Sequence, residues 1–275
     1  MLYNTSIALQ ALEAREVPGE HALRPSLLGR LVRNRRWLGA TALGLAGWPL
    51  EIVALLLAPL TVVQPFLASG LILLLWLGAT KLGEAPGWRE WTAVAAIVVG
   101  VVGVAWAAPE RTTDHAGAGA IAIALCLVAI PIAAPYALRG RTMLGWLPVV
   151  SAGFGYAWTA IASKLLTDEL AAGALLVAVA WLATAAASEG LALLSEMSAL
   201  QRRPATHVAP VMFAVQVLVP VLLAPLIFGE SWGSTPLGGV VLVASMAIAV
   251  AGTVLLAGSR TVGAVIESAH SGDSD

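Results

Sequence analysis

The chain has 275 residues, of which 59% are hydrophobic and only 11% charged, and its formal net charge is −1. A soluble domain carries about 25% charged residues, so this composition, with a mean hydropathy of +0.87, describes a bundle of membrane spans and excludes a dissolved globule. The near-zero charge gives no footing for nucleic acid, and the single Cys126, set in an apolar run, excludes a disulfide framework and a cysteine metal site.

Residues 2–14 are apolar but carry Asn4, Thr5, Ser6, Gln10 and Glu13. Such a stretch covers ~20 Å, short of the ~30 Å hydrocarbon core. It reads as a first helix that is thin, tilted or entered partway, and it lacks the basic start and cleavage site of a secretory signal. Arg15 to Arg36 is a polar linker with six Arg and two Pro. Eight further spans are expected at 37–57, 60–80, 91–108, 117–137, 143–163, 178–200, 206–227 and 237–258. Pro59 and Pro204 open connections, where a missing N–H is harmless. Pro49, Pro131, Pro135, Pro220 and Pro225 fall within spans and are expected to kink them. The tail, 260–275, is polar and expected to be disordered.

Basic residues in alternate loops set the orientation. One side holds thirteen, namely Arg15, Arg24, Arg30, Arg33, Arg35, Arg36, Lys81, Arg89, Arg139, Arg141, Arg202, Arg203 and Arg260; the other holds Arg111 and Lys164. This places the C-terminus in the cytoplasm and the N-terminus outside, in a multi-pass plasma-membrane protein. Arg outnumbers Lys thirteen to two, a bias that points to a GC-rich, bacterial source.

The chain also repeats itself. Glu51 to Pro65 and Glu196 to Pro210 agree at seven of fifteen positions at an offset of 145, including Glu51/Glu196, Pro59/Pro204, Thr61/Thr206 and Pro65/Pro210. An apolar run and Gly-Glu follow each copy, at Gly83-Glu84 and Gly229-Glu230. The charge parity makes the two copies inverted. The expected fold is therefore all-α: nine transmembrane helices, with a four-helix repeat at 1–108, a connecting helix at 117–137 and a second repeat at 143–259. Inverted repeats are the recurring plan of secondary transporters.

The segment A-P-L-T-V-V-Q-P, the apolar helix after it, L-G-E at 82–84 and R-E-W-T-A-V-A-A-I-V-V-G-V-V-G-V at 89–104 resemble the repeat of the drug/metabolite transporter (EamA-like) superfamily. The span count and the I-A-L-Q-A-L start are most similar to its NIPA-like magnesium transporter branch, although Ala11 and Leu12 stand where that branch often has basic residues. The resemblance implies a transporter.

Ionisable groups inside a span cost about 2.5–3.5 kcal/mol and default to functional hypotheses. Glu189 lies close to mid-span and Glu196 follows on the same helical face, so the pair suits a carrier that binds a proton or cation. Glu51 shares a face with Gly44, Gly47, Ala54 and Ala58, where another helix can approach. Gln64 and His207 sit in the first turns of spans three and eight. Tyr156 and Trp158 in span six, with Gln10 and Asn4 in span one, are cavity candidates through a weaker match between Tyr3–Val17 and Tyr156–Leu170. The bland alternative for each is a helix-to-helix hydrogen bond. Trp37, Trp88, Trp91, Trp146 and Trp232 read as interfacial anchors, and Lys164 as a snorkelling side chain. Ala96-xxx-Gly100 and Ala247-xxx-Ala251 read as close-packing faces, within the chain or in a homodimer. No catalytic constellation is present, so no enzyme and no cofactor are expected. The partners expected are the lipid bilayer and a small-molecule or cation substrate. Two substrate classes stay open: Mg²⁺, whose water shell several Glu and Gln oxygens would replace, and a proton-driven organic solute. The second functional class is a non-transporting membrane subunit or scaffold.

Overall fold

The computed structural model describes residues 6, 10, 13–14, 16–60, 62–63, 87–107, 109, 116–138, 145–202, 205–230 and 232–257. Among them the secondary structure is entirely helical. After a 3-10 turn, Gly19–His21, the helices are α1 (Pro25–Leu31), α2 (Arg35–Leu45), α3 (Trp48–Leu57), α4 (Trp88–Trp106), α5 (Ala118–Ala137), α6 (Leu147–Ala171), α7 (Leu175–Leu200), α8 (Ala205–Phe228) and α9 (Val240–Ala257). Three stretches are long and apolar enough to cross a membrane, Ala118–Ala137, Leu175–Leu200 and Val211–Phe228. Leucine, isoleucine and valine side chains such as Ile123, Leu127, Ile130, Leu176, Val179 and Leu222 stand exposed along these helices, a surface that only lipid solvates well.

Helix α6 is the hub. It packs against α3, α5, α7 and α8, and it is buried along most of its length between Pro148 and Asp168. Small residues make this possible. A Cβ on Gly155 would stand 2.7 Å from the Cβ of Ala192 on α7, and one on Gly153 would stand 2.7 Å from the Cβ of Val215 on α8. Backbones brought that close gain dispersion contacts along both crossings. Helix α4 packs on α9 in the same manner, with Gly100 against Ala249, Gly103 against Ser245 and Gly252 against Ala93 and Ala96. The contact order runs oppositely along the two helices, so they are antiparallel. The close-packing face expected on α9 is therefore corrected: it consists of Ser245, Ala249 and Gly252, while Ala247 and Ala251 are exposed. A face needs small residues where the partner's backbone arrives, and spacing alone does not locate that side.

The second expected span divides into α2 and α3 at Ala46–Gly47, just before Pro49. Pro131 and Pro135 leave α5 continuous, and α8 continues past Pro220 and Pro225. Proline breaks the helix where glycine precedes it and neighbours do not clamp it. At α5 the neighbour does clamp, because the Ser151 hydroxyl donates to the Ile132 carbonyl at 2.9 Å.

The linker expected to be merely polar is folded. Leu23 is buried, and Leu27 and Leu31 are buried in a cluster with Trp37, Tyr156, Met197, Leu200 and Met212. The Leu23 N–H donates to the Ser198 hydroxyl at 2.8 Å, and Gln201 Nε2 donates to the Val17 carbonyl at 2.9 Å. Trp37 is a core residue, 2% exposed, whereas Trp88, Trp91 and Trp146 are exposed at the starts of α4 and α6.

Lys164 does not snorkel. It is fully buried, bonded to Asp168 one turn later at 2.7 Å, with the Phe228 ring centroid 5.9 Å from its Nζ. An ion pair closed within one helical turn leaves no net charge in the apolar interior. Removing one partner strands the other, a loss of about 3–5 kcal/mol, whereas apolar replacement of both is far milder. Lys164→Met and Asp168→Leu should each lower the thermal midpoint of the detergent-solubilised protein, and the double variant should recover most of the loss. A double variant as unstable as the sum of the singles would exclude this account.

Candidate functional site

Three carboxylates converge on the hub. The Gly155–Ala192 crossing brings α6 and α7 together at a point that lies between Glu189 and Glu196 on α7. Glu196 is 1% exposed. Its Oε2 accepts a hydrogen bond from the Tyr156 hydroxyl on α6, while Oε1 is buried with no hydrogen-bond partner among the described residues. Buried polar atoms are satisfied in the great majority of cases, so a buried carboxylate oxygen with no partner is a site for something that brings a hydrogen or a positive charge.

Glu189, two turns further from the end of the bundle where α7 terminates, is partly buried. Thr159 on α6 lies beside it, and Glu51 on α3 is near enough for its charge to act on it. Glu196 in turn lies within electrostatic reach of Glu189. Thr159 is held between the helices, with its hydroxyl 3.2 Å from the Gly155 carbonyl and 3.4 Å from that of Ala185. Ser188 Oγ donates to the same Gly155 carbonyl at 2.8 Å. One backbone carbonyl thus serves two hydroxyls, and those hydroxyls set the walls between the carboxylates.

Glu51 arrives because the second span is broken. It lies in the first turn of α3, where the helix end carries partial positive charge. Trp48 Nε1 donates to Ser163 Oγ at 3.1 Å and so fixes α3 onto α6. Among the described residues no three His, Cys, Asp or Glu side chains could hold a metal ion between them. The carboxylates form a line of pairs, Glu51 with Glu189 and Glu189 with Glu196, and not a cage.

Of the expected site residues, Glu189, Glu196, Glu51 and Tyr156 come together. Gln10 is buried, with its Nε2 donating to Thr41 on α2 at 2.8 Å, and its side chain is not bonded to the carboxylates. Trp158 packs on a separate apolar cluster around Leu55, Leu165 and Phe228. Gln64 and Asn4, and the side chain of His207, lie outside the described residues. Thr159 and Ser188 were missed. Their signal was present in the sequence: they lie on the small-residue faces that pack α6 against α7.

Comparison with protein-family models, with curated proteins and with solved structures finds no match to this chain.

The pairing of Tyr156 with Glu196 makes a directional prediction. Tyr156→Phe removes the one hydrogen bond of a buried carboxylate, which should cost about 1–3 kcal/mol and lower the thermal midpoint. Adding Glu196→Gln to Tyr156→Phe should recover part of that loss, since a neutral amide is less costly to leave buried. If Tyr156→Phe is neutral, the phenol does not hold the carboxylate.

Proposed function

We propose that this chain is a secondary transporter, moving a small solute or cation across the membrane by alternating access between two inverted four-helix halves. The observation that carries the reading is the line of three interior carboxylates, ending at Glu196, one of whose oxygens has no partner among the described residues. Such groups are expensive in an apolar bundle and are retained where an ion or proton moves. The broken second span adds support, because discontinuous helices whose ends face the bundle centre recur at transporter binding sites. The antiparallel α4–α9 pair suits halves of opposite orientation. The resemblance of A-P-L-T-V-V-Q-P and the Gly-Glu ends to the drug/metabolite transporter repeat points the same way.

In this reading Glu196 and Glu189 take the proton or cation in turn. Tyr156 and Thr159 hold the two carboxylates in place, and Glu51 adds like charge from the opposite half. A line of pairs favours a proton or an organic cation over Mg²⁺, which demands near-ideal octahedral oxygen geometry and dehydrates reluctantly. The arginine-bearing end faces the cytoplasm of a plasma membrane.

The test is reconstitution in liposomes, with Mg²⁺ and with tetraethylammonium as probes, each with and without an imposed pH gradient. Gradient-dependent flux should appear, and Glu189→Gln and Glu196→Gln should each reduce it roughly tenfold or more. Flux that survives collapse of the proton gradient and requires Mg²⁺ selects the magnesium alternative. If Glu189→Gln and Glu51→Gln both leave flux intact, the carboxylates are structural. An inert protein in every arm favours the membrane subunit or scaffold.

A further inference from the structure

The basic residues of the described structure collect at one end. Helix α5 ends there, α6 begins, α7 ends and α8 begins, and the strap of residues 17–36 lies across them, its leucines in the core with Val149, Leu200 and Val208. On the outside of the strap Arg24, Arg30, Arg33, Arg35 and Arg36 are exposed. Arg202, just after α7, is exposed at the same end, as is Arg89 at the start of α4; the antiparallel packing of α4 on α9 sets Arg89 at that end. Among the described residues the only basic side chain near the opposite end is Lys164, which is buried against Asp168.

Three observations say what these arginines face. From Arg24 to Leu50 the chain contains no Asp or Glu at all, so the segment itself is a block of one sign of charge; a carboxylate from outside it, Glu13, accepts from Asn34 Nδ2. Val32 and Leu38, interleaved with Arg33, Arg35 and Arg36, are 49% and 42% exposed. Exposed apolar residues alternating with arginine are the pattern of a segment seated in the headgroup region, where the aliphatic groups enter and the guanidinium groups meet phosphates. The strap also runs without interruption into α2, capped by Asn34, whose Oδ1 accepts from the Arg36 N–H at 2.9 Å. The arginines are thereby fixed at the level where the chain enters the bundle.

We propose that the outer face of the strap is a binding surface for anionic phospholipid headgroups of the adjoining leaflet. Its inner face is already committed through Leu23, Leu27, Leu31 and the Leu23–Ser198 hydrogen bond. Arginine suits the task because its planar fork binds phosphate oxygens bidentately. Clusters of four to eight basic residues beside a span attract anionic lipid strongly and lose the attraction in salt. Because the strap covers the end of the cluster that contains Tyr156, bound lipid clamps it down over the carboxylate site. The proposal requires that the bundle spans a bilayer, and it does not require that it transports.

The experiment uses the full chain in detergent, supplemented with phosphatidylglycerol or with phosphatidylcholine of the same acyl composition. Phosphatidylglycerol should raise the thermal midpoint by roughly 5 °C more than phosphatidylcholine, and should slow hydrogen exchange across 22–33. Both effects should fade at high salt. The triple variant R24Q/R30Q/R33Q should keep the phosphatidylcholine midpoint and lose the phosphatidylglycerol increment. If that variant does not purify as a folded protein, the Arg→Lys triple should keep the increment. An increment unchanged in the Gln triple, absent from the wild type, or reproduced by inorganic phosphate or by an acidic polypeptide or RNA in place of lipid would overturn the proposal. Loss of the lipid effect would leave the carboxylate reading standing, and loss of flux at Glu189 would leave the lipid surface standing.

Discussion

The structure depends on how closely two backbones can approach at Gly155. With no side chain there, α6 comes within contact of Ala192 on α7, and two residues earlier Gly153 admits α8. A hub helix lined by alanine and glycine buries little apolar area per residue, so its cohesion comes from dispersion and from hydrogen bonds to exposed carbonyl edges. The Gly155 carbonyl, free of a shielding side chain, accepts from both Thr159 and Ser188. The same absence of bulk leaves room for Glu189 and Glu196 on either side of the contact. Close approach and interior polarity are consequences of one choice of residue.

An apolar bundle has three ways of holding a charged group, and all three occur here. Lys164 and Asp168 neutralise each other within a turn. Glu230, 2% exposed, accepts from the Leu60 N–H at 3.2 Å, which sets a carboxylate on the free donors of a helical turn. Among the described residues Glu196 has one hydrogen bond and one unpartnered oxygen. The first two arrangements are complete, and they explain their residues as parts of the framework. Only the third leaves electrostatic work for a ligand. This difference in completeness separates the candidate site from the other buried charges more sharply than burial does.

Spans at 117–137, 178–200 and 206–227 were legible because a long apolar run has one economical conformation in lipid. The clustering of Glu51, Glu189 and Glu196 was legible because each carboxylate carries a cost that demands a shared explanation. Lys164 stands at the i,i+4 spacing to Asp168 that makes an ion pair, but a basic residue near a helix end is also the pattern of a snorkelling chain, and only the packing of α6 separates the two. The folded strap was hidden by its arginines, although Leu23, Leu27 and Leu31 recur every four residues and mark a buried stripe. Gln10 was drawn toward the carboxylates by a weak internal match; tertiary placement bonds it to Thr41 instead. Which face of α9 packs inward depends on where the α4 backbone arrives, and no spacing rule contains that.

The internal similarity takes on a different meaning beside these contacts. Gly229 closes α8 in the left-handed region, φ +61, a conformation glycine adopts without strain, and so turns Glu230 back toward Leu60. The Gly-Glu ending of the second copy thus meets the helix start that follows Pro59 in the first. This contact joins the two similar parts of the chain. The differences lie elsewhere: at the offset of 145, Gly44, Gly47 and Pro49 stand opposite Glu189, Ala192 and Leu194. The first copy breaks its helix there, and the second runs through unbroken and carries the carboxylate. The broken copy presents Glu51 in the first turn of α3 and the continuous copy presents Glu189 on α7, near enough for their charges to act on one another. What the copies share does not place a carboxylate pair; the asymmetry between Gly44 and Glu189 is what makes the place chemically distinct.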